Sequence, residues 1–273
     1  TRKYVKKLGF YYVLATGLYL VLQTTLLVIE ANTGITLPRN ISMETTFIEG
    51  VFDLFYTGTA VRGSLWFFPA LAISTALIYV SEKLGRFDML LGLSVILHII
   101  GILSNTYQML DIPVPARDAL FFGLVFTAAG FKIGRIDTEI VSDHSKKLLL
   151  ASGLFIVLNI VENIFLMDAT GTYFIFQDYS FFTLPLAVSI FLLGLGNPGL
   201  GSSTRINLYG KYTLLGYVFH QVAGGLLTGL SILTGFLAGL RPSQSSSWNV
   251  VLVFMTYIVT MEAVVYYRER PDK

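Results

Sequence analysis

Apolar residues fall into eight blocks along this chain, at 8–29, 65–80, 89–103, 119–131, 148–167, 181–196, 213–240 and 248–267. A bilayer core about 30 Å thick takes about 20 residues of helix, with about 17 as a lower limit. Several blocks are a little short, so polar flanks must complete them. The longest polar stretch, 30–64, contains an apolar piece at 47–61 interrupted by Glu49 and Asp53, which reads as an interfacial or re-entrant segment. The pattern predicts an all-α fold: a polytopic membrane helix bundle of about eight transmembrane helices, forming a single membrane domain over 1–273.

The charges add an orientation. Arg2, Lys3, Lys6 and Lys7 precede the first block, Lys83 and Arg86 follow the second, and Lys132, Arg135, Lys146 and Lys147 follow the fourth. Arg205 and Lys211 follow the sixth, and Arg268, Arg270 and Lys273 follow the eighth. Only Arg39, Arg62, Arg117 and Arg241 fall on the other side. Basic loops stay cytoplasmic, so both termini are expected inside, with the chain in the cell (cytoplasmic) membrane as a multi-pass protein. A miscounted block would have scrambled this alternation.

Composition agrees with a lipid partner. Only 13% of residues are charged and mean hydropathy is +0.68, against about 25% charged in soluble domains. The basic residues then serve as topology signals, and no nucleic-acid partner is expected. With no cysteine, the chain offers no disulfide, thiolate metal site or cysteine nucleophile. No signal-peptide pattern opens it, and no internal repeat of the kind seen in transporters is visible. No metal-ligand spacing, Walker loop or GxSxG occurs, and the glycine-rich stretch 194–201 lacks the strand–turn–helix context of a phosphate cradle.

Polar groups inside the blocks carry the candidate chemistry, because at membrane depth they cost several kcal/mol and face the bundle interior or a wet cavity. Thr213, Tyr217, His220, Gln221, Gly224 and Thr228 share one face of the seventh block. His220 lies about 10 Å along it, placed either as a base or donor to an acyl or phosphate group or as a packed histidine bonded to a neighbouring helix. Gly225/Gly229 and Gly235/Gly239 on the same block read as close helix packing. Asn159, Glu162 and Asn163 share a face of the fifth block. Glu162 there could bind a substrate hydroxyl, carry a proton, pair with an arginine or join an interhelical polar network. His98 stands in an otherwise apolar third block, as an interior group or a catalyst. Arg117 and Asp118 open the fourth. Arg117 offers a fixed fork of donors for phosphate or carboxylate, or else snorkels at the interface. Arg62 carries a weaker version of that argument, and Glu262 reads as an interfacial partner for Arg268 or a lysine.

Three segments add a resemblance. Gly63-Ser-Leu-Trp-Phe-Phe-Pro-Ala-Leu-Ala72 resembles the LWFLPAL helix opening of the acyltransferase type 3 family, Ala116-Arg-Asp-Ala-Leu-Phe-Phe-Gly-Leu124 with Gly130 resembles its RNxLFFGL…GY helix start, and the segment from Leu208 to His220 resembles its LGKxSLxIYxxH helix. The order and spacing match over most of the chain. The resemblance implies a membrane-bound O-acyltransferase that moves an acyl group, commonly acetyl, from acyl-CoA to a hydroxyl of a carbohydrate or lipid-linked surface glycan. No bound cofactor is implied, and acetyl-CoA is a co-substrate. Arg117 and His220 match motif positions and are implied catalytic residues, while Trp66 and Lys211 match more loosely and are implied contacts to the CoA; Glu162, which no motif covers, joins the catalytic candidates from its place on the polar face of the fifth block. The family has ten helices. The resemblance implies that these are the last eight, with the usual histidine base on a helix ahead of Thr1. Ser64 stands where many members have a histidine, and no proline occurs near 10–12. The competing expectations are a transporter or flippase for a glycan or lipid precursor, with Glu162, His98 and His220 as proton or substrate ligands, and an inactive truncated member.

Overall fold

The computed structural model describes residues 2–33, 47–59, 63–112, 118–170, 179–202, 204–234 and 246–269. Among them every regular element is helical: α1 Arg2–Thr33, α2 Phe47–Phe52, α3 Phe67–Lys83, α4 Phe87–Gly101, α5 Leu124–Ile133, α6 Thr138–Asp143, α7 Ser145–Thr170, α8 Thr183–Gly196, α9 Ile206–Thr234 and α10 Ser246–Arg268. The described residues of each of the eight apolar blocks fall on these helices or on the short helical turns that adjoin them. Three stretches, Val5–Leu22, Phe87–Thr106 and Ser145–Ala169, are long and apolar enough to cross a membrane, and Ala119–Ile133 and Thr183–Gly196 are shorter apolar helices. The chain therefore has the character of a helical membrane protein.

Two compact units make up the chain, Thr1–Pro198 and Gly199–Lys273. In the larger unit α1 buries Leu8, Ala15 and Tyr19, which recur at helical spacing on one face, and sets Tyr12 against Phe68 of α3. Ile78, Phe87, Leu124 and Ala128 form the core where α3, α4 and α5 meet. Small residues let backbones approach there, as is usual between helices in lipid: a Cβ on Gly123 would lie 3.2 Å from those of Ala70 and from the Ser74 hydroxyl. Helix α3 stops at Gly85, whose φ of 64° allows the Arg86 N–H to reach back to the Ser81 carbonyl at 2.8 Å.

The basic loops meet at one end of this unit. Arg135 grips Glu82 with both guanidinium nitrogens at 2.9 and 2.7 Å, and Lys132 pairs with Asp88 at 2.7 Å. These pairs join the loop after α3 to the loop after α5. Asn197 at the end of α8 donates to Ser145 at the start of α7 at 3.0 Å. Within this unit the loops after α3 and α5 are thus neighbours, as are the end of α8 and the start of α7. The smaller unit is an antiparallel hairpin of α9 and α10. Arg205 and Tyr209 at its start contact Glu262, and Lys211 contacts Glu269 at 2.7 Å. Glu262 does pair with a basic group, Arg205 rather than Arg268.

The segment expected to be interfacial or re-entrant forms α2 and a π-helical turn, Asp53–Thr57. The Tyr12 hydroxyl donates to the Leu54 carbonyl, tying this turn to α1. Gly58 ends the turn in the left-handed region, φ 70°, and a Cβ there would sit 2.6 Å from the Trp66 Cα. Strain and collision with backbone combine at that position, so Gly58→Ala is expected to destabilise the larger unit by roughly 2–4 kcal/mol. Unfolding in detergent micelles followed by helical circular dichroism checks this, and a wild-type melt would show that the turn yields freely.

Candidate functional site

Away from the ion pairs the described residues include three π-helical turns, Asp53–Thr57, Ile102–Thr106 and Ala119–Gly123; Tyr56 of the first bonds Asp118 ahead of the third, and Gly101 ahead of the second lies against Phe121 of the third. Such turns are rare and often accompany functional sites, because the extra residue breaks the regular helical pairing. Asp118 fastens two of them. It is fully buried and caps the 119–123 turn by accepting from the Phe121 N–H at 2.7 Å, while its other oxygen accepts from the Tyr56 hydroxyl at 2.6 Å. An aspartate immediately before an apolar run is the sequence signal for such a cap. Ser74 of α3 donates to the Ala119 carbonyl at 3.2 Å.

His98 lies at the centre of this region, one turn before the 102–106 turn, and is 2% exposed. Its Nδ1 is 3.0 Å from the Phe121 carbonyl. A carbonyl only accepts, so Nδ1 carries a proton and the neutral ring keeps its lone pair on Nε2. Nε2 is buried, and among the described residues it has no hydrogen-bond partner. Aromatic rings enclose the imidazole: Tyr179 stacks on it at 5.4 Å, and Phe126 and Phe122 present edges at 5.6 and 6.2 Å. Trp66 extends the same cluster, edge-on to Phe122 at 5.4 Å. Gly101 makes room for it, since a Cβ there would lie 3.0 Å from that of Phe121.

Glu162 belongs to a neighbouring network. Its carboxylate accepts from the Tyr107 hydroxyl at 2.7 Å and from the backbone N–H groups of Phe181 and Phe182 at 2.7 and 3.0 Å. Asn159 donates to Ser180 and Thr183 at 2.9 and 3.3 Å, and Asn163 donates to the Asn159 carbonyl at 2.7 Å. The polar face read from the fifth block is therefore the seam between α7 and the entrance of α8. Thr106 adds a bond to the Tyr179 carbonyl at 2.6 Å.

His220 and Lys211 lie on the hairpin. The His220 Nδ1 donates to the Tyr217 carbonyl at 2.6 Å. Lys211 pairs with Glu269, whose carboxylate pushes the ammonium above the ordinary lysine range. Arg117, Arg62, Arg39, Arg241, Gly235 and Gly239 lie outside the described residues, as do the side chains of Gln221 and Thr228. Among the described residues no group of three or more His, Asp or Glu side chains could hold a metal. Sequence reasoning singled out His98, Asp118, Glu162 and Trp66 but missed Tyr56, Tyr107 and Tyr179. Each of these tyrosines meets a partner more than 50 residues away, so no local signal marks it.

No protein-family model matches the chain, and neither does any curated protein or solved structure.

Proposed function

We propose that this chain is an eight-span protein of the cell membrane with both ends cytoplasmic, and that it transfers an acyl group from acyl-CoA to a hydroxyl of a carbohydrate or lipid-linked glycan. The observation that carries the reading is the convergence of two of the three resembling segments. The Gly63–Ala72 segment and the Ala119–Gly123 turn pack together through Trp66 and Phe122, and through Ala70 and Gly123. At their junction stands an imidazole with one nitrogen fixed and the other carrying a lone pair.

In this reading His98 Nε2 takes the acceptor's hydroxyl proton as the oxygen attacks the thioester carbonyl. The C–S bond breaks, the thiolate leaves, and proton return yields the ester and free CoA. Arg117, next to Asp118 in the chain, stabilises the developing oxyanion or binds substrate charge. On the resemblance alone, Trp66 and Lys211 are the proposed acyl-CoA contacts and His220 a proposed catalytic group. A proton-carrying role for Glu162 in a transporter has less support, because its carboxylate already accepts three hydrogen bonds. Membranes containing the chain are expected to release free CoA from acetyl-CoA when a glycan acceptor is present, and Arg117→Ala is expected to lower that rate at least tenfold. Transfer of the acceptor across liposomes without thioester cleavage would replace this reading with transport.

A further inference from the structure

Beyond the end of α4 the chain folds back to build a pocket of about 540 Å³, lined in part by Ser104, Asn105, Gln108 and Asp111. The volume falls within the range of small-molecule sites. Backbone and hydroxyl bonds hold its shape. The Tyr107 N–H reaches Ile102 at 3.0 Å, the Met109 N–H reaches Leu103 at 2.8 Å, and the Ser104 hydroxyl reaches the Ile112 carbonyl at 2.6 Å. Gln108 adopts φ 53°, a left-handed conformation uncommon for a side chain of its size. Tyr107, at the base of the loop, is anchored by Glu162.

We propose that this pocket binds an uncharged sugar. The chemistry of the walls selects the class. Two amides both donate and accept, while the Asp111 carboxylate accepts from hydroxyl donors. Met109, Leu110 and Ile112 supply apolar surface for the C–H face of a sugar ring. Among the described lining residues the charged one is Asp111, and a phosphate or uronate would meet its negative charge. The fate of the bound sugar rests on the transferase reading; its binding does not.

Saturation-transfer NMR on the purified chain in micelles tests this with methyl β-glucoside, methyl β-N-acetylglucosaminide and methyl β-glucuronide. The two neutral glycosides are expected to bind, with the glucuronide at least tenfold weaker. Gln108→Gly keeps the left-handed backbone and removes the amide, so it preserves the fold. Combined with Asp111→Ala, it should weaken neutral-sugar binding at least tenfold. Absence of neutral-sugar binding, equal binding of the glucuronide, or unchanged binding in the double variant would each overturn the proposal. Sugar binding that the double variant loses, in a protein that releases no CoA, would keep the pocket and reject the transferase. CoA release unaffected by the double variant would keep the transferase and reject the pocket as its acceptor site.

Discussion

Replacing His98 with asparagine is expected to lower acetyl-CoA-dependent transfer at least about 100-fold, the usual contribution of a positioned general base, while leaving the fold in place. The choice of asparagine follows from the geometry. Its amide nitrogen lies close to where Nδ1 stands, so it can still donate to the Phe121 carbonyl 3.0 Å away. It has no atom that takes a proton in place of Nε2. His98→Ala is a poorer test, because it also empties the space among Tyr179, Phe122 and Phe126 and leaves a buried carbonyl without its donor. A structural histidine would tolerate asparagine, and a base would not. Transfer within tenfold of wild type in His98→Asn, with normal helical content, would remove His98 from the chemistry.

Hydropathy made the helices legible because the requirement behind it is local: each backbone N–H and C=O in lipid must pair within its own segment. The charge pattern also carried over into space, since Arg135 and Lys132 reach Glu82 and Asp88 across the loops it grouped together. The π turns were not legible. One extra residue per turn shifts every later side chain by about 100°, yet leaves no mark on hydrophobicity. The cluster around His98 depends on those shifts, as Phe121 and Phe122 lie within one such turn and the chain after His98 enters another. Glu162 was read correctly as facing an interior, on the spacing of Asn159, Glu162 and Asn163. Its partners were hidden because two are backbone N–H groups at the entrance of α8, where Phe182 supplies no capping oxygen of its own. A cap supplied by another helix leaves no pattern near the helix it serves.

That borrowed cap leads to the second large effect. Glu162→Ala is expected to destabilise the larger unit by at least about 3 kcal/mol, because it orphans the Tyr107 hydroxyl and the N–H groups of Phe181 and Phe182 together. Each buried donor left unpaired costs about 1–3 kcal/mol, and in the hydrocarbon region no water replaces the lost acceptor. Glu162→Gln separates geometry from charge. Its amide oxygen can still accept from Tyr107 and Phe181, both of which use the same carboxylate oxygen, but its NH₂ would face the Phe182 N–H donor to donor. A loss of about 1–2 kcal/mol is therefore expected for glutamine, and Tyr107→Phe, which removes a donor along with its need for a partner, should cost less still. Thermal unfolding of the four proteins in micelles measures the order. If glutamine melts between wild type and alanine and still supports CoA release, Glu162 serves as the lock between α7 and α8 and carries no proton. If alanine melts as wild type, the three bonds to Glu162 do not hold these helices together, and the pocket loop anchored through Tyr107 must be fixed by its own backbone bonds alone.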